Sequence, residues 1–190
     1  MSKKVAVVTG YAGFLGSTFT RRLLEEGWYL YCIDKISYVS DTLQADINHQ
    51  NYYQRMQWIN ADITEIDWLP ECDVIFNLAA ESDVDVGNQD SSKFIKSNID
   101  GVRNLLNIIN KRIVIRADKP LFFQVSTDEV YGDIHNGSFD ESAHLNPSNP
   151  YAATKAAADL LIQSWARTYG LEYIIARPSN NYGPHQYLKS

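Results

Sequence analysis

Tyr151 and Lys155 stand four residues apart, directly after Asn149-Pro150. Asparagine suits a helix cap and proline the first helical position, so a helix should start here with both side chains on one face. A free tyrosine titrates at about 10 and is a poor base at neutral pH. A neighbouring ammonium favours the phenolate. Tyr151 would then exchange a proton with a substrate hydroxyl, with Lys155 supplying the charge. A Tyr-x-x-x-Lys pair by itself is ordinary helix surface, and a second pattern gives it meaning.

That pattern is Thr9-Gly10-Tyr11-Ala12-Gly13-Phe14-Leu15-Gly16, set between a β-branched run and a helical stretch. Glycines spaced in threes permit a tight turn and close approach of a pyrophosphate. The following helix N-terminus offers free N–H groups and a positive dipole end. Asp34 closes the next strand about twenty residues later, where a carboxylate accepts hydrogen bonds from an adenosine ribose. It would repel a 2′-phosphate, so NAD is expected over NADP. Lys35 adjoins it, and Asp62-Ile63, after a third strand, falls near the expected adenine edge. With a dinucleotide in place, the nicotinamide cation adds to the effect of Lys155 on Tyr151. Lys155 would also hold the nicotinamide ribose.

Alternating strands and helices must position these residues. Val5–Val8, Tyr29–Ile33, Trp58–Ala61, Val74–Leu78, Leu121–Val125 and Tyr173–Ala176 read as strands. Phe14–Glu26, Ser91–Asn110 and Pro150–Tyr169 read as helices, and residues 36–57 as loop with some helix. Such alternation predicts a doubly wound parallel α/β sheet with helices on both faces. The 190 residues suit one domain, taken as 1–190.

Composition narrows the partners. The chain is 45% hydrophobic and 21% charged, with a formal net charge of -6, so nothing draws it as a whole to nucleic acid or an anionic membrane. No signal peptide or membrane-spanning stretch stands out, and a cytoplasmic location is expected. Cys32 and Cys72 are expected as free thiols, and no metal site is expected.

Three further stretches, with the loop and the Tyr-Lys pair, resemble the extended short-chain dehydrogenase/reductases, and among them the dTDP-glucose 4,6-dehydratase family. They are Asn77-Leu78-Ala79-Ala80-Glu81-Ser82, Val125-Ser126-Thr127-Asp128-Glu129-Val130-Tyr131-Gly132, and Arg177-Pro178-Ser179-Asn180-Asn181-Tyr182-Gly183-Pro184-His185-Gln186. The resemblance implies a Rossmann-like fold, NAD as cofactor and a nucleotide-sugar substrate. It implies that Tyr151 serves the oxidation at carbon 4 of the sugar, Glu129 removes the carbon 5 proton and Asp128 protonates the hydroxyl leaving carbon 6. Thr127 would bond the carbon 4 oxygen. Elimination needs one carboxyl charged and one protonated, which two different environments supply. Without the flanking motif, Asp128-Glu129 would read as a solvated acidic turn.

The resemblance also places Leu78, Ala79, Ala80, Ser82, Ser126 and Ser179 beside the cofactor, Ser82 and Asn180 toward the substrate, and Asn98 in a structural or cofactor-adjacent position. It implies a homodimer through the helices around 91–110 and 150–169, which carry apolar residues on more than one face. The adjacent Asp-Glu pair argues against a related epimerase or decarboxylase.

Two departures stand out. After Ser82 the family pattern has a His and an Arg, where this chain has Asp83, Val86 and Gly87 in the run that follows. Family members also continue into a C-terminal substrate domain, which is expected to be missing from a chain ending at Ser190. A non-catalytic NAD-binding subunit is the alternative that this raises.

Overall fold

The structure, a computed structural model, describes residues 4–36, 52–82, 90–115, 119–183 and 186. Asp83, Val86 and Gly87 lie outside them, as do Pro184 and His185.

Six strands form one sheet: β1 (Val5–Thr9), β2 (Tyr29–Asp34), β3 (Met56–Asn60), β4 (Val74–Asn77), β5 (Leu121–Val125) and β6 (Tyr173–Ala176). Every pairing is parallel, in the order β3-β2-β1-β4-β5-β6. Chain order reverses between β1 and β4, so a crevice opens at the carboxyl ends of these two strands. The doubly wound parallel sheet expected from the alternation of elements, Rossmann-like as the resemblance implies, is the observed one.

Residue parity explains the two layers, because successive strand side chains face opposite ways. Val7, Ile75 and Phe122 share one face, each fully buried beneath the helices that follow β4 and β5. Ala6 and Val8 face the other way, onto helix α1 (Phe14–Glu25) through Leu23 and Leu24. On that second face, register aligns Trp58, Cys32, Val8, Phe76, Phe123 and Ile174 in one row. Cys32 and Val8 are fully buried, but Trp58 and Ile174 at the row's ends are 39% and 46% exposed. Among the described residues, α1 covers only the middle of this face.

After β4 come a short helix α2 (Ser92–Phe94), a π-helical segment (Ile95–Asp100) and helix α3 (Gly101–Val114), without a break. The helix therefore outlasts the Asn110 limit, since Lys111 and Arg112 favour it and the Arg112 guanidinium bonds the Pro70 carbonyl at 2.9 Å. The long helix α4 (Pro150–Tyr169) matches its expected bounds. Asn149 caps it by accepting the Ala152 N–H, and Gly170 at φ 72° ends it in a left-handed conformation. Strand β3 starts at Met56 rather than Trp58, because Met56 pairs with Leu30 and is buried. Strand β4 stops at Asn77, one residue before the expected end. Of residues 36–57, Tyr52–Arg55 forms a 3-10 turn, Met56 and Gln57 belong to β3, and 37–51 fall outside the described residues. Neither Cys32 nor Cys72 is in a disulfide.

Candidate active site

The three loop glycines have different reasons to be glycine. Gly10 has φ 68°, and a Cβ there would lie 2.6 Å from the Ala79 backbone nitrogen. A Cβ on Gly16 would collide with the Gly10 carbonyl oxygen. The protein's own packing requires both. Gly13 is otherwise: its Cβ would meet only the Gly10 oxygen, at an ordinary 3.4 Å. Gly13 is also the N-cap of α1, with no side-chain cap and no acidic residue in the first turn. Open space thus fronts the amide end of a helix, the arrangement that receives an anion. Phe14 and Leu15 open that helix, Leu15 being 36% exposed.

The rim of this crevice holds the other expected cofactor residues. Asp34 accepts the Ala12 N–H at 3.2 Å and the Ile36 N–H at 3.0 Å. Burial holds its carboxyl above the usual range, against these hydrogen bonds. Lys35 pairs with Glu81 at 2.8 Å. Asp62 accepts the N–H and hydroxyl of Thr64, which outweigh its burial and hold it below the usual range. The Ile63 side chain belongs to the core against Gly101, and its carbonyl accepts from the Asn104 side-chain amide at 2.9 Å. Leu78 and Ala79 donate backbone N–H groups to the Thr9 carbonyl and hydroxyl, tying the end of β4 to the loop. Ala80 is half-buried and Ser82 exposed.

The carboxyl pair sits just past β5. Thr127 caps a 3-10 turn (Asp128–Tyr131), its hydroxyl accepting the Glu129 N–H. Asp128 is exposed, with its N–H donated to the Pro178 carbonyl at 3.1 Å. Glu129 is half-buried, and its Oε2 accepts from the Asn149 side-chain amide at 2.8 Å. The two neighbours thus have different surroundings. Both line a cavity of about 800 Å³ that also meets Tyr131, Phe139, Tyr173 and Arg177. Neither the glycine loop nor Asp34 lines it.

Tyr151 packs edge-on against Phe94 at 5.9 Å and is close enough to Glu129 and Asp128 to feel their charge. Its hydroxyl is pushed up to about 12, first by burial and then by those carboxylates. Of the two cations expected to oppose this, Lys155 is 3% exposed and its ammonium is turned to the Val125 carbonyl, at 2.7 Å, so the nicotinamide cation would have to supply the effect. Burial also pulls Lys155 down to about 8.

A buried polar chain runs between the two patterns. Thr9 Oγ1 donates to Asn77 Oδ1 at 2.5 Å, and Asn77 Nδ2 donates to Gln124 Oε1 at 2.7 Å. Gln124 Nε2 reaches the Val125 carbonyl at 3.2 Å, the acceptor that Lys155 also uses. Asn98, in the π-helical segment, accepts the Glu81 N–H and donates to the Glu81 carbonyl and the Thr154 hydroxyl. Such segments are frequent at functional sites. Ser126 is buried. Ser179 and Asn180 are both exposed.

Sequence reasoning missed several partners. Asn149 was legible as a cap, but its second bond, to Glu129, spans twenty positions. The pairing of Asp159 with Arg177 left no local signal, since the two meet across eighteen positions.

A parallel sheet of this order, a glycine loop at its switch point and a Tyr-x-x-x-Lys helix beside it define an NAD-type dinucleotide-binding domain of the extended short-chain dehydrogenase/reductase class. Within that class, the chain belongs to the GDP-mannose 4,6 dehydratase family, whose model matches residues 7–189. It is 40% identical over 188 residues to the low-salt glycan biosynthesis protein Agl12 of Haloferax volcanii, covering 95% of this chain and 58% of that one. It is 37% identical over 195 residues to a dTDP-glucose 4,6-dehydratase of Streptomyces niveus, covering 95% and 55%. The chain therefore spans little more than half the length of these relatives.

Two solved structures share the fold. The dTDP-glucose 4,6-dehydratase DesIV of Streptomyces venezuelae, crystallised with NAD, has a TM-score of 0.85 at 36% identity, over 96% of this chain and 58% of that one. A UDP-N-acetylglucosamine 4-epimerase from Methanobrevibacter ruminantium has a TM-score of 0.86 at 29% identity, over 100% and 59%. No helix among the described residues is long and apolar enough to cross a membrane.

Proposed function

We propose that this chain is the NAD-binding, catalytic part of a nucleotide-sugar 4,6-dehydratase, acting on dTDP-glucose or UDP-glucose to form the 4-keto-6-deoxy sugar. The observation that carries this is the Asp128-Glu129 pair, two unlike carboxyls within electrostatic reach of Tyr151. Epimerisation at one carbon has no use for both.

The residues present fit NAD. Gly13 leaves room at the helix end where a Cβ would intrude, and Asp34 stands ready for a ribose hydroxyl. Gly10 to Gly16 would hold the pyrophosphate, Asp34, Lys35 and Asp62 the adenosine, and Lys155, Ser126 and Ser179 the nicotinamide side. When bound, NAD would supply the hydride acceptor for carbon 4, a positive charge near Tyr151 and the hydride returned to carbon 6.

The chain's own groups handle the protons. Tyr151 takes the proton of the carbon 4 hydroxyl, and Thr127 hydrogen-bonds that oxygen. The resulting ketone acidifies carbon 5, whose proton passes to Glu129. Asp128 protonates the hydroxyl on carbon 6, which leaves as water. Carbon 5 then regains a proton. Oxidation at carbon 4 balances reduction at carbon 6, so the net change is loss of water.

A second reading is an NAD-binding subunit without turnover of its own. Incubation with NAD and each nucleotide sugar, followed by product analysis, separates the two. A keto-6-deoxy sugar supports the dehydratase; NAD binding without product, even with added partner chains, supports the subunit. The dehydratase is further proposed to be a cytoplasmic homodimer. Ile95, 48% exposed, and Leu160, 55% exposed, sit on the helices that would pair. A monomer in light scattering would remove the dimer.

A further inference from the structure

Asp159 is fully buried on α4, one helical turn beyond Lys155. Arg177, just past β6, donates from Nε to Asp159 Oδ2 at 2.9 Å and from its terminal nitrogen to the Tyr131 hydroxyl at 2.6 Å. Its guanidinium carbon also lies 5.0 Å from the centre of the Tyr131 ring. Tyr131 closes the turn that carries Asp128 and Glu129, so Arg177 is held between that turn and α4. The other carboxylate oxygen, Asp159 Oδ1, is buried and not bonded by Arg177, and the Ser126 side chain beside the carboxylate also favours its charged form. Arg177 therefore uses only half of this carboxylate.

We propose that Asp159 is a positioning residue of the site: its buried negative charge, aligned by Arg177, keeps the Lys155 ammonium charged one helical turn away.

A buried ammonium is costly unless a charge or strong hydrogen bond answers it. Lys155 is nearly inaccessible, and its hydrogen bond goes to a neutral carbonyl. Asp159, on its own helix, is the charged group that acts on Lys155, and Arg177 from the end of β6 is bonded to Asp159 in turn; Asp128 and Glu129, on the 3-10 turn, act on Tyr151 instead. Burial favours neutral Lys155, and Asp159 is the charge that opposes it. The coupling is mutual: Arg177 and Lys155 both oppose the burial that raises Asp159. Were Asp159 only an anchor for Arg177, Lys155 would be indifferent to its charge.

The catalytic use of Lys155 rests on the proposed dehydratase reaction, but the coupling is measured without turnover. The test is NMR titration of the Lys155 side-chain nitrogen in 15N-lysine protein, in wild type, Asp159→Asn and Asp159→Glu. Asp159→Asn should lower the midpoint by about one pH unit or more, and Asp159→Glu should restore it. An unchanged midpoint in folded Asp159→Asn overturns the proposal. Should that variant fail to fold, the reciprocal measurement decides, because coupling acts equally on both partners. Lys155→Met should raise the Asp159 carboxyl midpoint, followed by 13C NMR, and no change there overturns the proposal. A chain that titrates as expected yet forms no product refutes the dehydratase and leaves the coupling standing.

Discussion

Asn149 holds Glu129 and the start of α4 with one side chain. Its Nδ2 donates to Glu129 Oε2 at 2.8 Å, and its Oδ1 accepts the Ala152 N–H at 2.8 Å. The 3-10 turn that bears the carboxyls is thereby fixed to the helix that bears Tyr151 and Lys155.

Two substitutions separate these duties. Asn149→Ala loses both and should cost about 1 kcal/mol of stability through the lost cap. Asn149→Asp keeps a good cap acceptor but removes the donor and sets a second carboxylate against Glu129. Urea midpoints for Asn149→Asp should stay within about 0.5 kcal/mol of wild type, while sugar dehydration falls about tenfold or more. Equal loss of activity and stability in both variants would contradict the split.

The loop glycines should answer differently to alanine. Gly16→Ala meets the Gly10 backbone and should destabilise the fold by several kcal/mol or prevent folding. Gly13→Ala should leave a folded protein, losing about 1 kcal/mol at the cap, yet bind NAD at least about tenfold more weakly. Thermal unfolding and calorimetric NAD titration give the two numbers.

Asp34→Ala should weaken NAD binding and narrow the preference for NAD over NADP, since the carboxylate that repels a 2′-phosphate is gone. Calorimetric titration of both cofactors checks it. An unchanged preference would move the ribose site elsewhere.

Lys155 should leave a signature in stability against pH. Its folded value, about 8, lies below the unfolded value of 10.5. Between those values the unfolded chain holds more protons, so stability rises with pH through this window. The gain should be about 3 kcal/mol from pH 8 to 10.5. Lys155→Met removes it, so the difference between wild type and variant in urea midpoints isolates the effect. A flat difference would mean that Lys155 is solvated.

The sheet and the cofactor loop were legible because their signals are local. Val5–Val8, the glycine triplet and the capped start at Asn149-Pro150 announce themselves within a few residues. The end of α3 was not, because Arg112 is held there by carbonyls about forty positions away. The direction in which Lys155 points is not legible, because the spacing of Tyr151 and Lys155 fixes their shared helix face but not their surroundings. Burial and two carboxylates outweigh an ammonium that is turned toward Val125. The Thr9–Asn77–Gln124 chain draws on three strands, so nothing in any one of them reveals it.

Product analysis in deuterium oxide tests the dehydratase most directly. With NAD and dTDP-glucose or UDP-glucose, the expected product is the 4-keto-6-deoxy sugar, with solvent deuterium at carbon 5 and the substrate's own carbon 4 hydrogen at carbon 6. Glu129→Gln and Asp128→Asn should each abolish it while NAD still binds. A carbon 4 epimer, or bound NAD with unchanged sugar, would contradict it.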